Sequence, residues 1–396
     1  MDWKTKRIAH VSAVESTFTY VLYNQLKELR KQGMEIVCIS TLEFPENLEI
    51  LDKIGVKFIE LHIERKMTPF SDLLSLYRLY KLFKREKFDL IHTQMPKSTL
   101  LGAMAGWLTN TPVINSARPL FTDFPPGLVR DFWIWIERIS DYFTDLVMVE
   151  NPLDYQNYLD LKVTTKEKLT IQGNGINLAP FDPEKVRPED VQKLREELKI
   201  PGSAKVIGIV ARDVYEKGFW ELYVAFKELL SKYPELFLLS VILDLPSETG
   251  TVPGDLPEKM GIGHRVISLR NRRDMNVIFS LIDIFALPTY RDCFPKALIE
   301  AATMAKPIVT SDIPGCQAVV ENEKSGLLIP VKDVKALTNA LERLLKDPVF
   351  AKTLGANARK HALSDLDEQK VCPRILDCYK MLLDRSAGNA SSHEGG

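Results

Sequence analysis

The sequence predicts an α/β protein with two doubly wound domains, and three observations lead there. Short apolar, β-branched runs alternate with amphipathic helical stretches along the chain, which is the pattern of parallel βαβ units. The series of runs restarts after a segment rich in proline and charge. The chain has 396 residues, 45% of them hydrophobic and 27% charged, which is enough for two separate cores.

The first series of strand segments is RIAHVSAV, EIVCIS, KFIELHI, DLIHTQ, PVINSAR, DLVMVEN and LTIQGNGI. The second is KVIGIVAR, FLLSVILD, RVISLR, DIFALPTY, KPIVTSD and SGLLIPV, separated by helices such as KGFWELYVAFKELLSKY. Between the two lies NLAPFDPEKVRPEDVQKLREELKIPGS, a linker with one short helix. The expected limits are residues 1–183 for the first domain and 184–365 for the second. The small, polar end SAGNASSHEGG, residues 386–396, is expected to be a disordered tail. Two open α/β domains joined in this way are expected to hold a ligand in a central cleft between the carboxyl ends of their strands.

Composition narrows the function. A formal net charge of −1 gives no electrostatic case for a nucleic-acid partner. The five cysteines, Cys38, Cys293, Cys316, Cys372 and Cys378, form no CxxC pair, so neither a zinc site nor a disulfide framework is expected and a reducing cytoplasm fits best. The N-terminus shows no apolar signal core, and no run approaches the roughly 20 apolar residues of a membrane-spanning helix.

Several residues at strand exits invite a functional reading. VIGIVARDVYEKG delivers Arg212 and Lys217 just past a buried strand. An arginine fork and a mobile lysine suit a diphosphate, while a solvated loop is the plainer alternative. In PTYRDCFPKALIEAATMAKP, the stretch RDC forms a turn and Phe294-Pro295 starts a helix, with Asp292 either facing a ligand or acting as the helix N-cap. Glu300 stands among Ala297, Leu298, Ile299, Ala301 and Ala302. A carboxylate in so apolar a helix requires partners, either an internal donor or paired hydroxyls of a ligand.

Asp292 and Glu300 are seven residues apart, and with Arg212 and Lys217 this resembles the acidic-x7-Glu signature of the family-4 retaining glycosyltransferases. IHTQMPK, IQGNGINLAPFDP, ARDVYEKG, SDIPGC and SGLLIPVKD extend the resemblance in the family's order over about residues 7 to 383. It implies a GT-B fold of two Rossmann-like domains, with the helix EQKVCPRILDCYKMLLD, about 366–385, crossing back to the first. It also implies a hexosyl- or N-acetylhexosaminyl-transferase that moves sugar from a nucleotide diphosphate sugar, by family frequency a UDP-sugar. The acceptor would be a hydroxyl of a glycan or lipid-linked carrier, with retained configuration and without cofactor or metal. By that resemblance Arg212 and Lys217 hold the diphosphate, Glu300 the ribose hydroxyls, and Asp292 with Phe294 and Pro295 the transferred sugar. The lone D-x-D, Asp365 to Asp367, is read as helix capping.

The chain departs from the pattern in places. Asp292 and Cys293 stand where Glu and Gly are usual, Ala305 replaces a glycine, VSAVESTFTY lacks a Gly-Gly loop, and Arg118 follows the fifth strand where a histidine is common. These motivate two rivals, a nucleotide-sugar-binding protein without turnover and another GT-B enzyme such as an epimerase or phosphorylase.

On the acceptor side the expected residues are His92, Lys97 and Arg118, with Lys97 and Arg118 either facing the cleft or simply solvated, and with His92, like His10, more simply a satisfied core or cleft histidine than a catalytic base. SLYRLYKLFKREK carries Arg78, Lys81, Lys84, Arg85 and Lys87, which suits either a solvated helix or peripheral contact with an anionic membrane. In LVRDFWIWIERISDYF the expected core face is Phe132, Trp135, Ile136, Ile139 and Phe143, with Trp133 and Ile134 left for a lipid interface or another element.

Overall fold

The computed structural model describes residues 5–64, 66–117, 121, 124, 126–173, 175–243, 250–292 and 295–393, with side chains as far as Arg385. The chain divides into two compact units, Met1–Asn174 with Glu368–Gly396, and Gly175–Asp367.

The first unit contains β1 (Arg7–Val14), α1 (Tyr23–Lys31), β2 (Glu35–Thr41), α2 (Glu46–Asp52), β3 (Lys57–Glu60), α3 (Pro69–Glu86) and β4 (Leu90–Gln94). It continues through α4 (Pro96–Leu108), β5 (Val113–Ala117), α5 (Leu128–Tyr142), β6 (Leu146–Val149), α6 (Pro152–Asp160) and β7 (Leu169–Ile171). All seven strands are parallel, in the order β3-β2-β1-β4-β5-β6-β7. Both faces are covered, so alternate residues of one strand enter different cores. Ile8, Ile36 and Cys38 pack under α1, whereas Ala9, Val11, Val37 and Ile39 pack under α3 and α4.

The second unit contains α7 (Pro188–Glu197), β8 (Val206–Ala211), α8 (Phe219–Leu230), β9 (Phe237–Ile242), α9 (Leu256–Lys259), β10 (Val266–Arg270), α10 (Met275–Leu281) and β11 (Ile284–Leu287). Then follow α11 (Lys296–Thr303), β12 (Ile308–Ser311), α12 (Pro314–Gln317), β13 (Leu327–Ile329), α13 (Val334–Lys346) and α14 (Pro348–Asp365). Its parallel sheet runs β10-β9-β8-β11-β12-β13 around a single core. All thirteen predicted strand segments are present.

The last helix, α15 (Glu368–His393), belongs to the first unit. Val371, Ile375, Tyr379 and Leu382 recur at helical spacing and pack with Leu22, Leu26 and Leu29. Residues 386–393, expected to be a disordered tail, continue this helix. Propagating a formed helix fixes one residue per added bond and needs no new nucleus. The boundary also differs from the expected one at 183. Ile176 and Leu178 lie in the core of the second unit, the Ile176 amide donates to the Leu366 carbonyl, and Asp182 pairs with Arg359 at 3.0 Å. Asp365 ends α14 and Asp367 immediately precedes α15.

Helix α5 is turned partly away from expectation: of the expected core face Ile136 is buried, Ile139 and Phe143 are half-buried, and Phe132 and Trp135 are exposed. Ile134 and Ile136 are buried and Trp133 packs on the core, while Phe132 and Trp135 are 42% and 55% exposed. The buried face also carries Glu137 and Ser140. Large apolar residues lie on both sides of this helix, so periodicity alone could not identify the inward one.

Candidate functional site

In each sheet the chain starts in the middle and winds outward in both directions, which creates a switch point where ligands of open α/β sheets bind. In the second unit that point lies between β8 and β11, which pair through Ile284–Ile207 and Phe285–Gly208.

The loops leaving these two strands are fastened together. After β8 the chain makes a tight turn over Tyr215–Lys217, and Gly218 closes it in the left-handed region at φ 77°. A Cβ at Gly218 would stand 2.1 Å from the Pro288 carbonyl oxygen, so both conformation and space require glycine. The Tyr290 amide and the Thr289 hydroxyl donate to the Glu216 carbonyl at 2.7 and 3.1 Å.

The charged groups then meet. The Lys217 ammonium donates to Asp292 Oδ2 at 2.6 Å, with side chains 10% and 19% exposed. Glu216 lies 3.5 Å from Arg212 and accepts from Arg291 at 3.1 Å. Behind them the Tyr290 hydroxyl donates to Glu221 at 2.7 Å, and Lys332 lies 4.5 Å over the Tyr290 ring. Burial, helped by Glu221, raises the Tyr290 pKa, so the phenol stays protonated and donating.

Helix α11 starts at Lys296, with Pro295 in the N-cap position and no side-chain cap. Asp292 precedes that position and is tied to Lys217. Leu298, Ile299, Ala301 and Ala302 are fully buried, and Glu300 emerges among them half-buried. Burial pushes its carboxyl up to about 7, partly opposed by Lys296. Among the described residues, none donates a hydrogen bond to this carboxylate. Phe294 and Cys293 lie outside the described residues.

Thus Arg212, Lys217, Asp292, Pro295 and Glu300 all belong to the loops and helix at this one switch point. Sequence reasoning missed Glu216, Glu221 and Gly218. A signal existed for the first, since Arg212 and Glu216 are four apart in a turn and so share a side. The spacing carries nothing for the other two, whose roles depend on the β8–β11 pairing.

Of the acceptor-side residues, His92 is a satisfied core histidine and Lys97 is tied into the fold. His92 is fully buried, its ring bonded to the Tyr379 hydroxyl at 2.6 Å and to Ser116 at 2.7 Å, so it does not face a ligand. The Ser116 hydroxyl donates to the Gln172 side-chain oxygen at 2.9 Å, and Tyr379 also reaches His10 at 3.2 Å. Lys97 is 4% exposed, ion-paired with Asp72 at 2.5 Å and bonded to Thr68 and the Lys66 carbonyl. It joins the start of α4 to that of α3 and is neither solvated nor presented to an acceptor. Arg118 lies outside the described residues.

Known proteins share this sequence pattern and fold. The family described as "Glycosyl transferases group 1" matches residues 190–361, and "Glycosyl transferase 4-like" matches 7–151. The capsular polysaccharide biosynthesis glycosyltransferase CapM of Staphylococcus aureus is 27% identical, covering 97% of this chain and 100% of its own. The UDP-Gal:alpha-D-GlcNAc-diphosphoundecaprenol alpha-1,3-galactosyltransferase of Escherichia coli is 26% identical, covering 94% and 96%. A crystal structure of a glycosyltransferase from Rickettsia africae superposes with TM-score 0.80 at 19% identity, over 96% of this chain and 99% of that one. With both matched regions in the expected order and the fold in common, the chain belongs to the group 1, family-4-like glycosyltransferases of GT-B fold.

Proposed function

We propose that the protein transfers a hexosyl or N-acetylhexosaminyl group from a UDP-sugar to a hydroxyl of a lipid-linked saccharide, with retention of anomeric configuration. The observation that carries the reading is the Lys217–Asp292 pair at the β8–β11 switch point beside the half-buried Glu300. Arg212 and Lys217 meet the diphosphate, Glu300 accepts from the ribose hydroxyls, and Asp292, released from Lys217 by the incoming anion, accepts from hydroxyls of the sugar. The donor and acceptor classes follow the name of the Escherichia coli relative.

As the bond from the anomeric carbon to the diphosphate breaks, its electron pair leaves with the phosphate oxygen. Fixed cations at that oxygen lower the barrier because they need no reorganisation as charge develops. The acceptor oxygen bonds to the same face of the sugar, and its proton passes to the departing phosphate. This route asks for no strong enzyme base, in keeping with the interior placement of His92.

The test is a panel of nucleotide sugars in thermal-shift and nucleotide-release assays with Arg212→Ala and Glu300→Ala. Stabilisation and release by one donor, both lost in the variants, is the expected result. Stabilisation without release, even with lipid-linked acceptors present, would mean a binding protein without turnover.

A further inference from the structure

Helix α5 presents an apolar stripe to solvent. Leu128, Phe132, Trp135, Ile139 and Tyr142 are four, three, four and three residues apart, which is the spacing of a seam that packs against another helix. Leu128 and Tyr142 are 89% and 73% exposed, Phe132 and Trp135 stand out between them, and Ile139 is half-buried. The opposite side of the helix, with Trp133, Ile134, Glu137 and Ser140, faces the first unit. The 15 residues of the helix extend over about 22 Å at 1.5 Å per residue. An aromatic stripe of that length is unusual on a freely solvated surface.

The stripe has two unlike edges. Along one lie Val129, Ile136 and Phe143, next to α4, whose exposed Trp107 meets the Phe143 ring edge-on at 5.5 Å. Along the other lie Asp131, in the first turn, and Arg138, seven residues further on, both exposed. The Arg138 guanidinium donates to the carbonyl of Leu161, which ends α6, at 2.5 Å. That bond fixes the arginine on its edge and leaves further N–H groups for a partner.

We propose that α5 joins two copies of this chain, packed antiparallel across a two-fold axis at Trp135. In that arrangement positions about equally far before and after Trp135 face each other. Leu128 then meets Tyr142 of the second copy and Phe132 meets its Ile139. Asp131, four residues before the axis, meets Arg138, three residues after it. The two-fold repeats every contact, so an Asp131–Arg138 pair flanks the Trp135 rings on each side. A parallel pairing would set Asp131 and Arg138 against Ile136 and Phe143 and leave both charges unpaired. The chain therefore supplies both halves of a complementary contact, and this selects a second copy as the occupant.

The area suits a reversible dimer. At about 200 Å² per aromatic side chain, the exposed parts of Phe132, Trp135 and Tyr142 come to roughly 340 Å² in each copy. With Leu128, Val129 and Trp107 added, two copies approach the ~1,000 Å² of a specific interface.

The experiment is sedimentation velocity of the full-length protein over a concentration series, in which the parent chain should pass from monomer to dimer. Trp135→Ser should raise the dissociation constant on the order of 10²-fold, because both copies lose the central ring. Asp131→Arg and Arg138→Asp should each raise it about 10-fold, since two facing pairs become pairs of like charge. Mixing these two variants should restore association, because each supplies the charge that the other lacks. Asp131→Arg with Arg138→Asp in one chain should restore it as well. Thermal unfolding checks that each variant is folded. A parent that stays monomeric throughout, single charge variants that associate as the parent does, or a mixture and a double variant that both stay dissociated overturns the proposal. Monomers that float with lipid vesicles through Trp135, indifferent to the charge exchange, would assign the stripe to a lipid layer instead.

Discussion

The two switch points of this molecule share a topology and differ in what their charges do. Between β8 and β11, Arg212, Asp292 and Glu300 stand in loops or at a helix surface, partly exposed, and hold the buried Lys217 among them. Between β1 and β4 the loop after β1 carries Glu15 and the start of α4 carries Lys97, both buried and bonded into the fold. Glu15 accepts from the Glu43 and Phe44 amides and from Asn47, and so fixes the loop after β2. A charge at a strand exit is therefore no evidence of a ligand by itself. What distinguishes a binding site is a charged group that remains partly exposed, in loops that the fold holds rigid.

The largest effects that test this contrast come from the two lysines. Lys97→Ala would leave Asp72 without its cation in a nearly dry setting and should cost about 3–5 kcal/mol of stability. Denaturant unfolding measures it, and donor affinity of the folded fraction should not change. Lys217→Ala should lower nucleotide release by about 10²–10³-fold, as removal of one preorganised charge-stabilising group typically does, and should also cost stability, since it leaves the mostly buried Asp292 without its cation. If Lys97→Ala proved harmless to stability and damaging to catalysis, the contrast drawn between the switch points would be wrong.

Glu300 sharpens the comparison through pH. Its carboxyl is raised from 4.5 to about 7 in the folded protein by burial. The folded state thus binds more protons than the unfolded one across that interval, so Glu300 lowers stability as pH rises from 4.5 to about 7 and adds nothing further above it. Ribose hydroxyls donate to the ionised form, so nucleotide binding should release a proton below about 7 and tighten as pH rises toward that value. Calorimetry in buffers of different ionisation enthalpy reads the proton directly. Glu300→Gln should bind more weakly, without proton release, and should melt higher than the parent protein above that pH.

Much of this was legible in the sequence, for physical reasons. Strands buried on both faces read as continuous apolar runs, and their alternation with helices dictates a parallel sheet, so all thirteen strand segments could be placed. Arg212, Lys217 and Asp292 could be found because they follow such runs immediately. The partner of Lys97 could not, because Asp72 is 25 residues away and meets it only through the packing of α3 on α4. Nor could the inward face of α5, where apolar residues lie on both sides and the buried one includes Glu137, pushed up to about 7 by its burial. Gly218 is required by Pro288, a contact that exists only once β8 and β11 lie side by side.

The smallest predicted effect concerns the buried cluster under α15. Tyr379 is fully buried and bridges His92 and His10, which makes it the polar link between the last helix and the first sheet. Tyr379→Phe keeps the ring and its packing and removes only the hydroxyl, so about 1 kcal/mol should be lost from the first unit. Acid should add to that loss. Burial lowers His10 from 6.5 to about 3, so between those values the unfolded chain binds a proton that the folded one does not, and stability is lost as pH falls from 6.5. No described histidine of the second unit is buried, which leaves its protection without this dependence. Hydrogen exchange followed by region should therefore show β1, β4 and α15 opening sooner in mild acid, and sooner still in Tyr379→Phe, while β8 and β11 keep their protection. Equal loss in both sheets would mean that His10 is not what makes the first unit acid-sensitive.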